Sequence, residues 1–215
     1  MKKLFAYISL GILVGCGPNR DFEDKNIFGS QTVSSSAVGG VENQGWPEGK
    51  QGVGLLEIIP EDMTWEGYKK NQQTELETII STSDWYDPTG EKHINAVLVI
   101  TTKYGCDLCL EQAGSLQDKI SVWDDEGKNI KVVFLITNDE EDGSPTPKTA
   151  LNWKSDNYLI GADVAVDPLS LMLPGPVWAM PYHTIVDPRT MIVLANQQGT
   201  IDNYDQLEIL ASSNK

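Results

Sequence analysis

Two apolar runs constrain this chain most: Ala96-Val97-Leu98-Val99-Ile100, and the stretch from Lys131 to Thr137. A strand with one face in water alternates polar and apolar residues. A continuous run rich in Val, Ile and Phe is instead buried on both faces, as a central strand of a parallel sheet is. Between the runs lies a helical pattern reaching about Trp123 and closed by Asp124-Asp125-Glu126-Gly127. A strand, a helix and a second buried strand in that order point to an α/β fold around a mixed central sheet flanked by helices.

Cys106 and Cys109 sit where the first run ends and the helical pattern begins. A thiolate at a helix N-terminus is stabilised by the dipole and by unpaired backbone N–H groups. The first cysteine is therefore a candidate nucleophile, and the second a candidate to resolve it into a disulfide. The alternative is a structural brace, but two intervening residues close almost no chain, so the entropic gain of such a disulfide is small.

Lys2 and Lys3 precede a short apolar core from Leu4 to Val14. Roughly 11 apolar positions are too few to span a bilayer, which needs about 20, and the pattern reads as an export signal over residues 1–15. The junction Leu13-Val14-Gly15-Cys16 resembles a bacterial lipobox, which implies cleavage before Cys16 and a lipid on its sulfur. Gly17 stands where an aspartate would favour inner-membrane retention, so the resemblance implies anchoring in the bacterial cell envelope, at the outer membrane facing the periplasm. Lipidation of Cys16 leaves one dithiol from three cysteines, in an oxidising compartment.

The formal net charge is −15, and loss of Lys2 and Lys3 takes it to −17. Such a charge argues against nucleic acid and anionic headgroups as partners. Residues 16–50 are rich in Gly, Ser, Asn and Gln and read as a lipidated cysteine with a flexible tether, leaving residues 51–215 as one domain.

Within that domain the expected elements are a strand near 53–59 and a helix near 72–81, where Leu76, Ile79 and Ile80 share a face. A turn from Trp85 to Gly90 follows, then a strand over 95–101, the cysteine motif with its helix, and a strand over 131–137. An acidic loop spans 138–147, and a helix covers about 148–157. A short extra strand over 164–166 follows, and Asp167-Pro168 is a candidate start for a brief helix. Strands over 182–186 and 191–195 and a helix over about 204–212 complete the chain.

This order, with C-x-x-C after the first long buried strand and Met180-Pro181 before Thr184-Ile185-Val186, resembles the thioredoxin superfamily over about residues 55–212. The extra strand before Met180-Pro181 makes the chain more similar to the membrane-tethered, periplasmic thiol-disulfide oxidoreductases than to a minimal thioredoxin. The resemblance implies that Cys106 attacks substrate disulfides and Cys109 resolves the mixed disulfide. It also implies that Pro181 is cis and shapes a substrate groove, with Met180 offering backbone hydrogen-bonding groups. Trp178 is a further candidate for that groove, with core packing as its alternative. The implied substrates are protein or small-molecule disulfides and dithiols, and no cofactor is called for.

The chain departs from that pattern in three places. Tyr104 is separated from Cys106 by Gly105, whereas the family's aromatic directly precedes the first cysteine. Asp107 and Leu108 lie between the cysteines, and an aspartate beside the nucleophile opposes thiolate formation. Ile100 stands where thioredoxins commonly carry a buried acid, so proton handling at Cys109 must use water or another acid, with Glu111 as one candidate.

A rival reading is a thioredoxin-like copper chaperone or a non-catalytic binding lipoprotein. Cys106, Cys109 and His183 together are a candidate thiolate-rich copper or zinc set, although the copper-delivery relatives space their cysteines one residue further apart. The simpler expectation for His183 is a strand residue satisfied by a local hydrogen bond, and for His93 a solvated position. Asp139-Glu140-Glu141-Asp142-Gly143 lacks the alternating ligand spacing of a calcium loop and reads as a solvated loop.

Overall fold

The computed structural model describes residues 45–72, 76–177 and 179–215. Cys16, the expected signal segment, most of the expected tether and Trp178 lie outside the described residues. Seven strands form one sheet: β1 (Thr64–Tyr68), β2 (Thr78–Ser81), β3 (Ala96–Thr102), β4 (Ile130–Ile136), β5 (Asp163–Val166), β6 (Tyr182–Val186) and β7 (Val193–Gln198). Three helices accompany them: α1 (Asp107–Asp125), α2 (Pro147–Asp156) and α3 (Asp205–Ser213).

The strand order is β2-β1-β5-β4-β3-β6-β7. β3, β4 and β5 run parallel, and β6 lies antiparallel between β3 and β7. The two continuous apolar runs thus become β3 and β4 at the centre, each covered on both faces. Ala96, Leu98 and Ile100 pack with buried residues of α1, α2 and α3 on one face. Val97 and Val99 pack on the other face with Val53, Ile59, Trp85 and Met172, which come from irregular segments. Trp46 belongs to this second face, where its indole N–H donates to the Ile59 carbonyl at 3.0 Å.

Four local expectations are corrected. The helix expected near 72–81 is, over Thr78–Ser81, strand β2 paired with β1 in the register Trp65↔Ile80. Ile80 is fully buried while its neighbour Ile79 is 53% exposed, the two-residue period of a strand; β-branched Thr78, Ile79 and Ile80 favour that extended form. The strand expected near 53–59 is reduced to single bridges from Ile58 to Gln51 and Ile192, because Leu56 turns the chain at φ 62°. β1 was not expected at all. The brief helix at Asp167-Pro168 is a turn, in which the Asp167 carboxylate accepts the N–H groups of Leu171 (2.9 Å) and Met172 (3.3 Å).

A dithiol at the end of the central strand

Parallel strands β3 and β4 both end at the same edge of the sheet, and the turn after β3 leads straight into α1. Gly105 makes that turn at φ 70°, in the left-handed region that glycine enters without a Cβ clash. Cys106 is the N-cap of α1: its sulfur accepts the Cys109 N–H at 3.3 Å, and its carbonyl accepts the Leu110 N–H at 3.0 Å. The two cysteines are joined as a disulfide with their Cα atoms 5.2 Å apart. Cys106 is half-buried, whereas Cys109 is 1% exposed and packs into the cluster with Ile100. Asp107 and Leu108 are exposed.

The loop entering β6 comes to the same place. The Met180–Pro181 bond is cis, Pro181 is buried, and its carbonyl accepts the Gly199 N–H at 2.8 Å. Among the described residues neither backbone group of Met180 has a hydrogen-bond partner. Cys106, Met180, Ala179, Val177, Asn138 and Lys103 line one groove of about 710 Å³. The structure therefore brings Cys106 and Met180 together.

Asn138, which follows β4, was not singled out from the sequence. It is buried, its side-chain oxygen accepts the Tyr104 N–H at 2.9 Å, and its amide donates to Asp142 at 2.8 Å. A polar residue ending a buried run was the signal available for it. The acidic loop is held by such contacts, and the Asp139 carboxylate accepts the N–H groups of Glu141 and Gly143. Tyr104 packs edge-on against Trp153 at 5.6 Å, and burial, then Glu140, then Asp156, pushes its phenol up to about 12.

His183 departs from expectation. It is 1% exposed, and neither ring nitrogen has a well-formed hydrogen bond, although the Gln197 backbone lies near enough to favour the protonated ring slightly. Burial holds its pKa down at about 4. Glu111 is exposed, away from the buried side on which Cys109 lies. His93 is exposed, as expected. Among the described residues no group of three His, Cys, Asp or Glu side chains is placed to hold a metal ion. A cleft of about 570 Å³ at the far end of β3 contains Arg189, but that guanidinium is already paired with Asp87 at 2.9 Å and the Asn214 carbonyl at 2.7 Å.

The fold is similar to that of solved structures. The thioredoxin domain of a thiol-disulfide oxidoreductase from Bacteroides vulgatus is 16% identical, with a TM-score of 0.50 over 74% of this chain and 98% of that one. The chain has a thioredoxin-like fold. A thiol:disulfide interchange protein from a Bacteroides species is likewise similar to this thioredoxin-like chain, at 13% identity and a TM-score of 0.50 over 74% of this chain and 91% of that one. No protein-family model and no curated protein matches the sequence. Among the described residues of the thioredoxin-like domain, no helix is long and apolar enough to cross a membrane.

Proposed function

We propose that this protein is an extracytoplasmic thiol-disulfide oxidoreductase that exchanges disulfides of protein or small-molecule partners through Cys106 and Cys109. The observation that carries this reading is the asymmetry of the pair. A half-buried sulfur caps a helix and opens on a groove, and a fully covered sulfur sits one turn behind it. The two Bacteroides structures named above, described as a thiol-disulfide oxidoreductase and a thiol:disulfide interchange protein, support the same reading.

In the reducing direction, the Cys106 thiolate attacks a substrate disulfide and expels one substrate sulfur as thiolate. Cys109 then attacks Cys106, forms the intramolecular disulfide and releases the second substrate sulfur. The helix N-terminus stabilises the attacking thiolate, and the backbone groups of Met180, unpaired among the described residues, offer a docking edge to an extended substrate. Pro181 is assigned to shaping the groove, and Trp178, which lies outside the described residues, stays a sequence-based candidate for it. The test is a trap. Cys109→Ser should accumulate a mixed disulfide with a model peptide disulfide, and Cys106→Ser should not. Equal trapping by both variants, or by neither, would rule the assignment out.

The lipobox-like junction supports anchoring through Cys16 in the cell envelope. Cys16→Ala should release the protein from the membrane fraction, and a processed variant that stays bound would count against the anchor.

A further inference from the structure

His183 pairs with Ile100 across the antiparallel β3/β6 ladder, and directly opposed residues project to the same face of a sheet. Ile100 and Ile185 both lie in the cluster that contains Cys109, Ala113 and Leu207, and His183 alternates with Tyr182 and Thr184 to join them on that side. Ile100 is the last residue of that face that β6 pairs; buried Thr102 follows it on the same face at the end of β3, and Cys109 is in the first turn of the helix that follows. The imidazole and the buried sulfur therefore occupy one face at one end of the sheet.

The ring's unmet hydrogen bonding is the second observation. A neutral imidazole carries one N–H donor and one lone-pair acceptor; the Gln197 backbone lies near the donor without a well-formed bond, and burying the acceptor without a partner is costly. In the disulfide form Cys109 has no proton to offer. Reduction creates an S–H donor on the same buried face as the ring's free acceptor.

Resting on the oxidoreductase reading, we propose that His183 takes the proton from the Cys109 thiol as that sulfur resolves a mixed disulfide held on Cys106. The Cys109 S–H proton passes to a ring nitrogen, and the Cys109 sulfur forms its bond to Cys106 Sγ. The bond from Cys106 Sγ to the substrate sulfur breaks, and its electron pair leaves on the substrate thiolate. That thiolate recovers a proton from the imidazolium through solvent. Over the full cycle the substrate disulfide gains two electrons, the two cysteines lose them, and no other reagent is consumed.

Other groups on this side do not serve. Ile100 has no acid, Glu111 is exposed, and burial drives the Tyr204 phenol far above neutrality as it accepts a hydrogen bond from Gln112 at 2.7 Å. No charged side chain shifts His183, and burial keeps the ring neutral with its lone pair free, so that an imidazolium formed there is short-lived.

Reduced full-length protein is mixed with dithionitrobenzoate, whose coloured thiolate is released once as Cys106 attacks and again as Cys109 resolves the adduct. His183→Gln and His183→Leu are compared with the parent chain, with thermal melts confirming that each is folded. The second release should slow by at least about tenfold in both variants, while the first stays within about twofold. Any smaller slowing of the second phase overturns the proposal. So does a normal second phase in His183→Gln, which would leave the ring only a hydrogen-bonding part, or equal slowing of both phases, which would mark a displaced dithiol. Absence of a first release in the parent chain is a different failure: it defeats the oxidoreductase reading itself, and the proposal with it.

Discussion

The side-chain oxygen of Asn138 accepts the backbone N–H of Tyr104 at 2.9 Å, tying the turn that presents Cys106 to the loop that follows β4. The Asn138 amide continues the tie to Asp142 at 2.8 Å, so one buried side chain joins the turn before α1 to the acidic loop that lines the groove. Asn138→Ala leaves the Tyr104 N–H unsatisfied and should cost about 1–3 kcal/mol in denaturant unfolding. If the tie holds the nucleophile in place, the rate of Cys106 alkylation also changes; an unaltered midpoint and rate would show that solvent replaces the bond.

Burial separates the two thiols. Under mild reduction an alkylating reagent should label half-buried Cys106 well before Cys109, which is 1% exposed. Mass mapping decides the order, and the reverse order would exchange the two roles.

Asp107 is exposed in the first turn of α1, directly after the nucleophile. One charge about 6 Å away in water-like surroundings is worth about 0.7 kcal/mol, which is about threefold in thiolate population. Asp107→Asn should therefore raise the alkylation rate of Cys106 at neutral pH by about that factor at low salt, and make the protein more oxidising. An unchanged rate and potential would mean that solvent screens the aspartate fully.

Gln112 joins α1 to α3. Its oxygen accepts the Ile201 N–H at 2.6 Å and its amide donates to the Tyr204 hydroxyl at 2.7 Å, all in the interior. Gln112→Leu keeps the volume but strands those partners, and should lower stability by about 2–3 kcal/mol. Urea unfolding measures the loss.

Two groups shape the acid side of the stability curve in separate windows. Glu208 is held down to about 2 by Lys128 first and Trp123 next, so its contribution is complete above pH 4.5 and is lost as pH falls toward about 2. Solvent reaches the pair, so the loss is about 1–2 kcal/mol, and Glu208→Gln should remove it. His183 stays neutral in the fold down to about 4, while the unfolded chain takes up its proton near 6.5. Stability therefore falls as pH drops from 6.5 to about 4, by about 3 kcal/mol at most, and His183→Leu should flatten that window alone. Unfolding followed by fluorescence from pH 7 to pH 2 resolves both.

The sequence by itself determined the features written in local order. Short continuous apolar runs rich in β-branched residues read as central strands, which placed β3 and β4. C-x-x-C at a strand-to-helix junction put a helix dipole on a cysteine. Met-Pro before a β-branched run marked the loop that meets it. Tertiary structure decided what depends on partners distant in the chain. Residues 78–81 had a helical reading until pairing with β1 supplied a second strand and made the two-residue period of Ile79 and Ile80 count. Asn138 gained its part only when β4 ended beside the turn after β3. The surroundings of His183 followed from the register of β6 on β3, since a shift of one residue would turn its ring to the opposite face and away from Cys109.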